Sequence, residues 1–355
     1  MTVQLRVVID QVGVDADLAR AARGLTQGLI RTAPRGCVVS GIAPNGAEAS
    51  IAGLREVRTL PLARRELAAA WQMGIAVGVG GGLIHSPTLL APLVRHDRLH
   101  DNDQTTVTLW DLCAWEAPET LPKSSVVWQR AMLKRAVRHA DAVVVPSHAI
   151  AERLGEIAPL GDRIRVIAGA APSGFGEPAD AARLRADLLL PRRYVAVTGE
   201  GESFEDGFRA AARAEVDAVV VDAPDGAEAA LIELARSAGL GEDRLRIAGQ
   251  LDDPSRAALL AGADAVVATS PASVWPWRLI EAMELSVPIV AVDSGVHRDV
   301  VADGGAVVPS AQLDDALIDA LGSGRERLRV LGADRARAFS WASSAERVWA
   351  LHAEL

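Results

Sequence analysis

Short apolar runs of strand length alternate with Ala-, Leu- and Arg-rich stretches of helical length along the whole chain. Continuous apolar runs bounded by turn residues predict strands buried on both faces, and their alternation with helices predicts βαβ units around parallel sheets. In the first half the predicted strands are Leu5 to Ile9, Cys37 to Ile42, Gly82 to His85, Thr105 to Leu109, Ala142 to Pro146 and Arg165 to Ile167. In the second half they are Tyr194 to Thr198, Ala218 to Val221, Leu245 to Ala248, Ala265 to Ala268, Pro288 to Val292 and Gly305 to Val308. Each set of six suffices for one doubly wound domain. Between the sets lies AGAAPSGFGEPADAARLRADLLLPRR, rich in Gly, Pro and Ala, which predicts a linker with the boundary near Pro172.

Composition narrows the class. Half of the 355 residues are hydrophobic, enough for two sizeable cores. The formal net charge of −9 argues against nucleic acid as a partner, because phosphate binding needs a concentrated basic surface. Two cysteines, Cys37 and Cys113, have no metal-ligand spacing and fit a reducing, cytoplasmic setting. The opening MTVQLRVVIDQVG reads as a first strand rather than a signal peptide, and no apolar run is long enough to span a bilayer. A soluble cytoplasmic protein with no metal and no cofactor is expected.

The most informative segment is TSPASVWPWRLIEAMELSVPIVAVDSG, Thr269 to Gly295. It reads as a turn, a helix beginning near Pro276, a buried strand and a glycine turn. It resembles the donor-sugar motif of the family 4 glycosyltransferases, PS-x-x-E-G-F-G-L-x-x-L-E-A-M-x-x-G-x-P-V-V-A, with Glu281, Ala282, Met283 and Pro288 in the family's places. HADAVVVPSHAIAERL (His139 to Leu154) resembles the family's A-D-x-v-x-x-v-S-x-x-x-x-x-x-L segment. RLRIAGQLDDPSRAALLAGADAVV resembles r-v-x-f-x-G-x-v-x-d-x-x-l-x-x-l-y-x-x-A-D, and FSWASSAERVWALH (Phe339 to His352) resembles the closing f-s-W-x-x-x-A-x-x-x-x-x-x-Y helix. The resemblance implies the GT-B fold: an acceptor-side Rossmann-like domain over residues 1–172, a nucleotide-sugar-side domain over 173–337, a cleft between them, and a final helix over 338–355 crossing back to the first domain.

The same resemblance assigns roles and exposes departures. Glu281 stands where the family's glutamate binds the ribose hydroxyls of the donor, a task suited to a carboxylate that accepts two hydrogen bonds at once. Ser273 replaces the glutamate that contacts the donor sugar. Val274 and Pro276 replace residues that let backbone N–H groups approach the donor, and proline has no N–H to offer. Trp275 and Trp277 either stack on a base or sugar or, as their bulk favours, pack in the interior. After Gly199, in VAVTGEGESFEDGF, Glu200 and Asp206 occupy the places of an arginine and a lysine that neutralise the diphosphate. Arg298 or Arg209 could compensate for that reversal. Gly295, Val296 and His297 form the loop whose amides approach the phosphates in the family, with His297 and His85 as candidate lining residues against a structural reading of each.

In the first domain the family's G-G-x-G-R-Y loop is replaced by DQVGVDADLARAARGL, where Gly13 remains and Asp15 or Asp17 reads as a helix N-cap. In TVTLWDLCAW the family's histidine is Trp110, which offers neither acid, base nor imidazole, and Asp111 is kept. The stretch KSSVVWQRAMLKRAVRH, Lys123 to His139, carries Lys123, Arg130, Lys134, Arg135 and Arg138 with no acid. It reads either as a solvated helix face or, by the resemblance, as a peripheral contact to an anionic inner membrane face or lipid-linked acceptor. Two functions stay open. One is a retaining glycosyltransferase that moves a sugar from a UDP- or GDP-type donor to a glycan or lipid-linked acceptor. The other is a non-catalytic pseudo-glycosyltransferase acting as a partner or glycan-binding scaffold. A Rossmann dehydrogenase is disfavoured, since no G-x-G-x-x-G follows the first strand of either half.

Overall fold

The computed structural model describes residues 2–10, 16–47, 50–96 and 102–355. The first sheet contains β1 (Val3–Val8), β2 (Cys37–Asn45), β3 (Val57–Ala63), β4 (Leu83–Ser86), β5 (Gln104–Thr108), β6 (Ala142–Val145) and β7 (Ile164–Val166). Its strand order is β3-β2-β1-β4-β5-β6-β7. The second contains β8 (Tyr194–Thr198), β9 (Asp217–Val220), β10 (Leu245–Ile247), β11 (Ala265–Ala268), β12 (Ile289–Val292) and β13 (Ala306–Val308), in the order β10-β9-β8-β11-β12-β13. Every pairing within the two sheets is parallel. Parallel strands need helical crossovers, which is why β6 and β11 are buried along their whole length.

The first sheet has seven strands where the apolar runs predict six. The additional strand, β3, has the sequence VRTLPLA, exposes Val57, Arg58 and Thr59, and contains Pro61. Proline cannot donate to a sheet ladder, so the pattern reads as loop, and the segment is a strand only because it lies at the sheet's edge. Gly13 and Asp15 lie outside the described residues. Asp17 sits in the first turn of helix Ala16–Arg31 and pairs with Arg20 at 3.2 Å.

The chain forms two compact units. The first comprises residues 1–170 together with Ala272–Trp275 and Ser340–Leu355; the second comprises Ala171–Pro271 and Pro276–Phe339. In the first unit the final helix, Trp341–Glu354, packs against helix Ala16–Arg31. A Cβ at Gly24 would collide with the Trp341 indole and one at Gly28 with the Trp341 carbonyl, so two glycines permit that approach. The Trp349 indole N–H donates to the Leu29 carbonyl at 3.1 Å, and Ser340 caps the helix by accepting from the Ser343 N–H. The core of the second unit is built from Val195, Val197, Phe204, Phe208, Leu231, Leu313 and Leu317.

Candidate functional site

In an open parallel sheet, ligands bind outside the carboxyl ends of strands where the strand order reverses. In the second sheet that reversal falls between β8 and β11. Strand β8 ends on Thr198 and leads to Gly199 and Glu200; β11 leads to Thr269. Thr269 Oγ1 lies 3.2 Å from the Thr198 carbonyl and 3.3 Å from Ser203 Oγ, and Ser203 Oγ accepts from the Glu200 N–H at 2.9 Å. A Cβ at Gly199 would collide with both Thr269 Oγ1 and Ser203 Oγ. Glycine is therefore required here by close approach, and the strand ends present hydroxyls rather than cations.

The reversed charges are tied into the unit. Glu200 and Ser203 form a reciprocal capping box at the start of the turn that leads into helix Phe204–Arg213. Asp206 accepts from Arg209 at 2.6 Å and from Ser310 Oγ at 2.7 Å. Arg209 also reaches Asp314 and the Ser310 carbonyl, so it is committed to Asp206 and its neighbours. Arg298 is the more exposed of the two candidate cations and pairs with Asp293. Gly295 opens helix Gly295–Val301, whose N-cap Ser294 accepts from the His297 N–H. His297 is buried, with Val296 beside it. Its Nδ1–H donates to the Val292 carbonyl at 2.7 Å, and burial lowers its pKa, so the ring is held neutral.

Glu281 lies on helix Trp277–Glu284 and is 2 % exposed. Its carboxylate is gripped by two guanidinium groups. Arg256 Nη2 donates to Oε1 at 2.9 Å, while Arg256 Nε lies 3.1 Å from Oε1 and 2.9 Å from Oε2. Arg278 Nη1 donates to Oε2 at 2.6 Å, and Arg278 Nε pairs with Asp222. Arg256 is fully buried on helix Asp253–Gly262. Burial works against its charge, but the Glu281 carboxylate raises its pKa on balance. Sequence reasoning singled out Glu281 and overlooked Arg256. The available signal was an arginine where the r-v-x-f-x-G pattern has an aliphatic residue, on the buried side of an Ala- and Leu-rich helix.

Ser273, Val274 and Trp275, with Trp110 and Asp111, belong to the first unit, and Trp277 to the second. Ser273 and Val274 run antiparallel to the end of the TVTLWDL segment: Asp111 bridges Val274, and the Leu112 N–H donates to the Ser273 carbonyl at 3.0 Å. The Trp275 N–H donates to the Trp110 carbonyl at 3.1 Å, and the Ser273 N–H donates to Glu116 Oε2 at 3.3 Å. Trp275 is 1 % exposed, in keeping with packing rather than stacking on a ligand, whereas Trp277 is half-buried. Trp110 is buried, donates its indole N–H to the Pro87 carbonyl at 2.9 Å, and meets Trp341 edge to face. Asp111 accepts from the Cys113 N–H at 3.0 Å.

His85 is fully buried in a hydrogen-bonded cluster with Thr106, Thr108, His352 and Gln104. Burial pushes the His85 pKa down to about 3, with His352 adding to the effect, and pushes His352 down to about 4. Among the described residues no group of His, Cys, Asp and Glu side chains could hold a metal ion. On helix Lys123–His139 the exposed residues Lys123, Val127, Arg130, Lys134 and Arg138 fall on one stripe. Arg135 instead turns inward to the Leu93 carbonyl. No helix of the described residues is long and apolar enough to cross a membrane.

Residues 203–323 match the family described as Glycosyl transferases group 1. A phosphatidyl-myo-inositol mannosyltransferase from Mycobacterium leprae (strain TN) is 35% identical over 124 residues, a stretch covering 33% of this chain and 33% of that protein. The match thus spans about a third of that relative's length. Among solved structures, sucrose-phosphate synthase from Thermosynechococcus elongatus is similar with a TM-score of 0.66 at 20% identity, over 99% of this chain and 98% of that one. Anabaena HepE in complex with UDP and glucose gives a TM-score of 0.65 at 17% identity, over 99% and 100%. The catalytic domain of starch synthase IV from Arabidopsis thaliana, bound to ADP and acarbose, gives 0.67 at 14% identity, over 99% of each chain. The match to the group 1 glycosyl transferases is confined to residues 203–323, and the fold of the chain is that of the GT-B glycosyltransferases.

Proposed function

We propose that this protein is a glycosyltransferase that takes a nucleotide-sugar donor of the UDP or GDP type on its second unit and passes the sugar to a glycan or lipid-linked acceptor. One observation carries the reading: the strand-order reversal between β8 and β11, with Gly199, Ser203 and Thr269 at its rim, is contiguous with the segment matched to the glycosyl transferase family. Gly199, Gly295, Val296, His297 and Trp277 supply the donor side of this reading, beside the helix that carries Glu281. Backbone amides at the start of the Gly295 turn supply partial positive charge to a diphosphate, with Arg298 as an exposed cation of that helix, whereas the amides before Phe204 are capped by the Glu200 carboxylate. The reaction needs no metal under this scheme.

The Lys123–His139 helix suits a peripheral contact to an anionic bilayer. Its outward stripe is cationic, and Val127 within that stripe is 63 % exposed. Such a contact would place the protein on the cytoplasmic membrane face, where a lipid-linked acceptor is presented.

A second reading, a pseudo-glycosyltransferase, is favoured by Trp110 and Ser273. The first spends its only polar group on Pro87, and the second lacks the carboxylate of the sugar-contacting glutamate. Calorimetric titration with UDP, GDP and ADP, followed by a transfer assay with the sugar nucleotides that bind, separates the two. Binding with turnover establishes the transferase, and binding without turnover establishes the pseudoenzyme. No binding of any nucleotide defeats the donor assignment.

A further inference from the structure

We infer that Arg256 is the specificity-determining residue of the donor site: by holding Glu281 it withdraws the carboxylate from the nucleotide, so the site does not read the ribose hydroxyls. This inference rests on the donor reading above. A carboxylate has about four lone-pair positions, and a ribose cis-diol needs two of them. Arg256 spans both oxygens through Nε and takes Oε1 again through Nη2, and Arg278 takes Oε2. A diol could bond to Glu281 only by displacing a guanidinium.

Arg256 is not held by Glu281 alone. Its Nη1 donates to the Leu251 carbonyl at 3.1 Å, its Nη2 donates to Asp253 at 2.8 Å, and its guanidinium lies over the Phe175 ring, 5.6 Å from the centroid. Displacing it would leave a fully buried cation without its main counter-ion, which is far costlier than forgoing two neutral hydrogen bonds. Arg278 is anchored in the same way by Asp222. The aliphatic residue that the sequence pattern places at position 256 would leave Glu281 paired with Arg278 and would release Oε1. One side chain, distant in sequence from the donor motif, therefore decides whether that motif's glutamate recognises a sugar hydroxyl or balances a buried charge.

The test compares UDP and GDP with their 2′-deoxy counterparts by titration of the full chain. The proteins are the unaltered chain, Arg256→Leu, Arg256→Lys, Glu281→Gln and the double variant Arg256→Leu with Glu281→Gln. The unaltered protein and Arg256→Lys are expected to bind ribo and deoxy forms within about twofold of each other. Arg256→Leu is expected to prefer the ribo form by about tenfold, and the preference should vanish in the double variant. A merely structural arginine would change both affinities together and leave their ratio alone. If Arg256→Leu is poorly folded, Arg256→Gln, which offers Glu281 a single amide donor, serves in its place. An unaltered protein that already prefers the ribo form by about tenfold, and loses that preference on Glu281→Gln, overturns the inference. So does a folded Arg256→Leu that binds without preference, and this outcome leaves the donor reading standing. Failure of every folded variant to bind any nucleotide overturns the donor reading and the inference with it.

Discussion

Each unit buries a polar cluster, and the two solve the same problem in opposite ways. In the second unit, Arg256, Arg278, Glu281 and Asp222 are charged and compensate one another. In the first, His85, Thr106, Thr108, Gln104 and His352 are neutral and depend on the placement of protons. With Gln104 Oε1 as acceptor, His352 carries its proton on Nδ1 and its Nε2 must accept from the Thr106 hydroxyl. Thr106 Oγ1 then accepts from His85 Nδ1–H, and His85 Nε2 accepts from Thr108. Every proton in the chain is assigned once, so a second proton on either ring would set two donors face to face. The ionic cluster is vulnerable to loss of a member at any pH; the neutral one keeps its members and is vulnerable to acid.

The largest effect should come from breaking the ionic cluster. Glu281→Gln leaves Arg256 buried without its main counter-ion and is expected to cost about 3–5 kcal/mol of stability. Urea unfolding at neutral pH measures it. A loss below about 1 kcal/mol would mean that Asp253 and solvent compensate Arg256, and the contrast between the clusters would fail. Acid should act on the other cluster. Both histidines have folded pKa values below the unfolded value of about 6.5, so the unfolded chain takes up protons first as pH falls. The stability of the neutral cluster is complete above that value and is lost as pH drops toward about 4 for His352 and about 3 for His85. Between pH 6.5 and 5 the loss is about 2 kcal/mol per histidine. The double variant His85→Gln with His352→Gln should flatten the pH dependence of the urea midpoint over that window. A slope as steep as before would assign the acid sensitivity to other groups.

The comparison also explains what the sequence could disclose. Strands such as Tyr194–Thr198 and Ala265–Ala268 are uninterrupted apolar runs flanked by turn residues, so they are legible without knowledge of their neighbours. Val57–Ala63 is hidden because its strand character comes from β2 beside it and not from its own pattern. Both polar clusters are harder still. Thr106 and His352 lie 246 positions apart, and Arg256 and Glu281 lie 25 apart on different helices. Thr106, Gln104 and His352 look like ordinary polar groups until the fold brings them to their partners, and Arg256 is marked only by standing at an aliphatic position of the family pattern. The resemblance to the glycosyltransferases named the positions where donor chemistry is expected. The donor motif alone did not disclose that Glu281 was already spoken for: Arg278 lies within it, but Arg256, which spans both carboxylate oxygens, stands in the preceding motif at an aliphatic position.

The smallest effect concerns the order of protons in the neutral cluster, and it separates a central bond from a peripheral one. Thr106 Oγ1 stands 2.8 Å from His85 Nδ1 and 3.2 Å from His352 Nε2, so its hydroxyl is donor and acceptor at once. Thr108 Oγ1 stands 3.4 Å from His85 Nε2, a long contact that contributes little. Thr108→Val, which keeps shape and removes only that donor, is therefore expected to cost about 0.5 kcal/mol. Thr106→Val removes both inner bonds and should cost about 1–3 kcal/mol, because two buried ring nitrogens lose their partner. Thr106→Ser keeps the hydroxyl and should recover most of that loss. If Thr108→Val proved as damaging as Thr106→Val, that proton order would be wrong, since the outer hydroxyl would then be the one on which the rings depend. Equal, small effects of both would instead mean that the helix Trp341–Glu354 is held by Trp341, Trp349 and the glycine contacts alone, with the histidines as passive fillers.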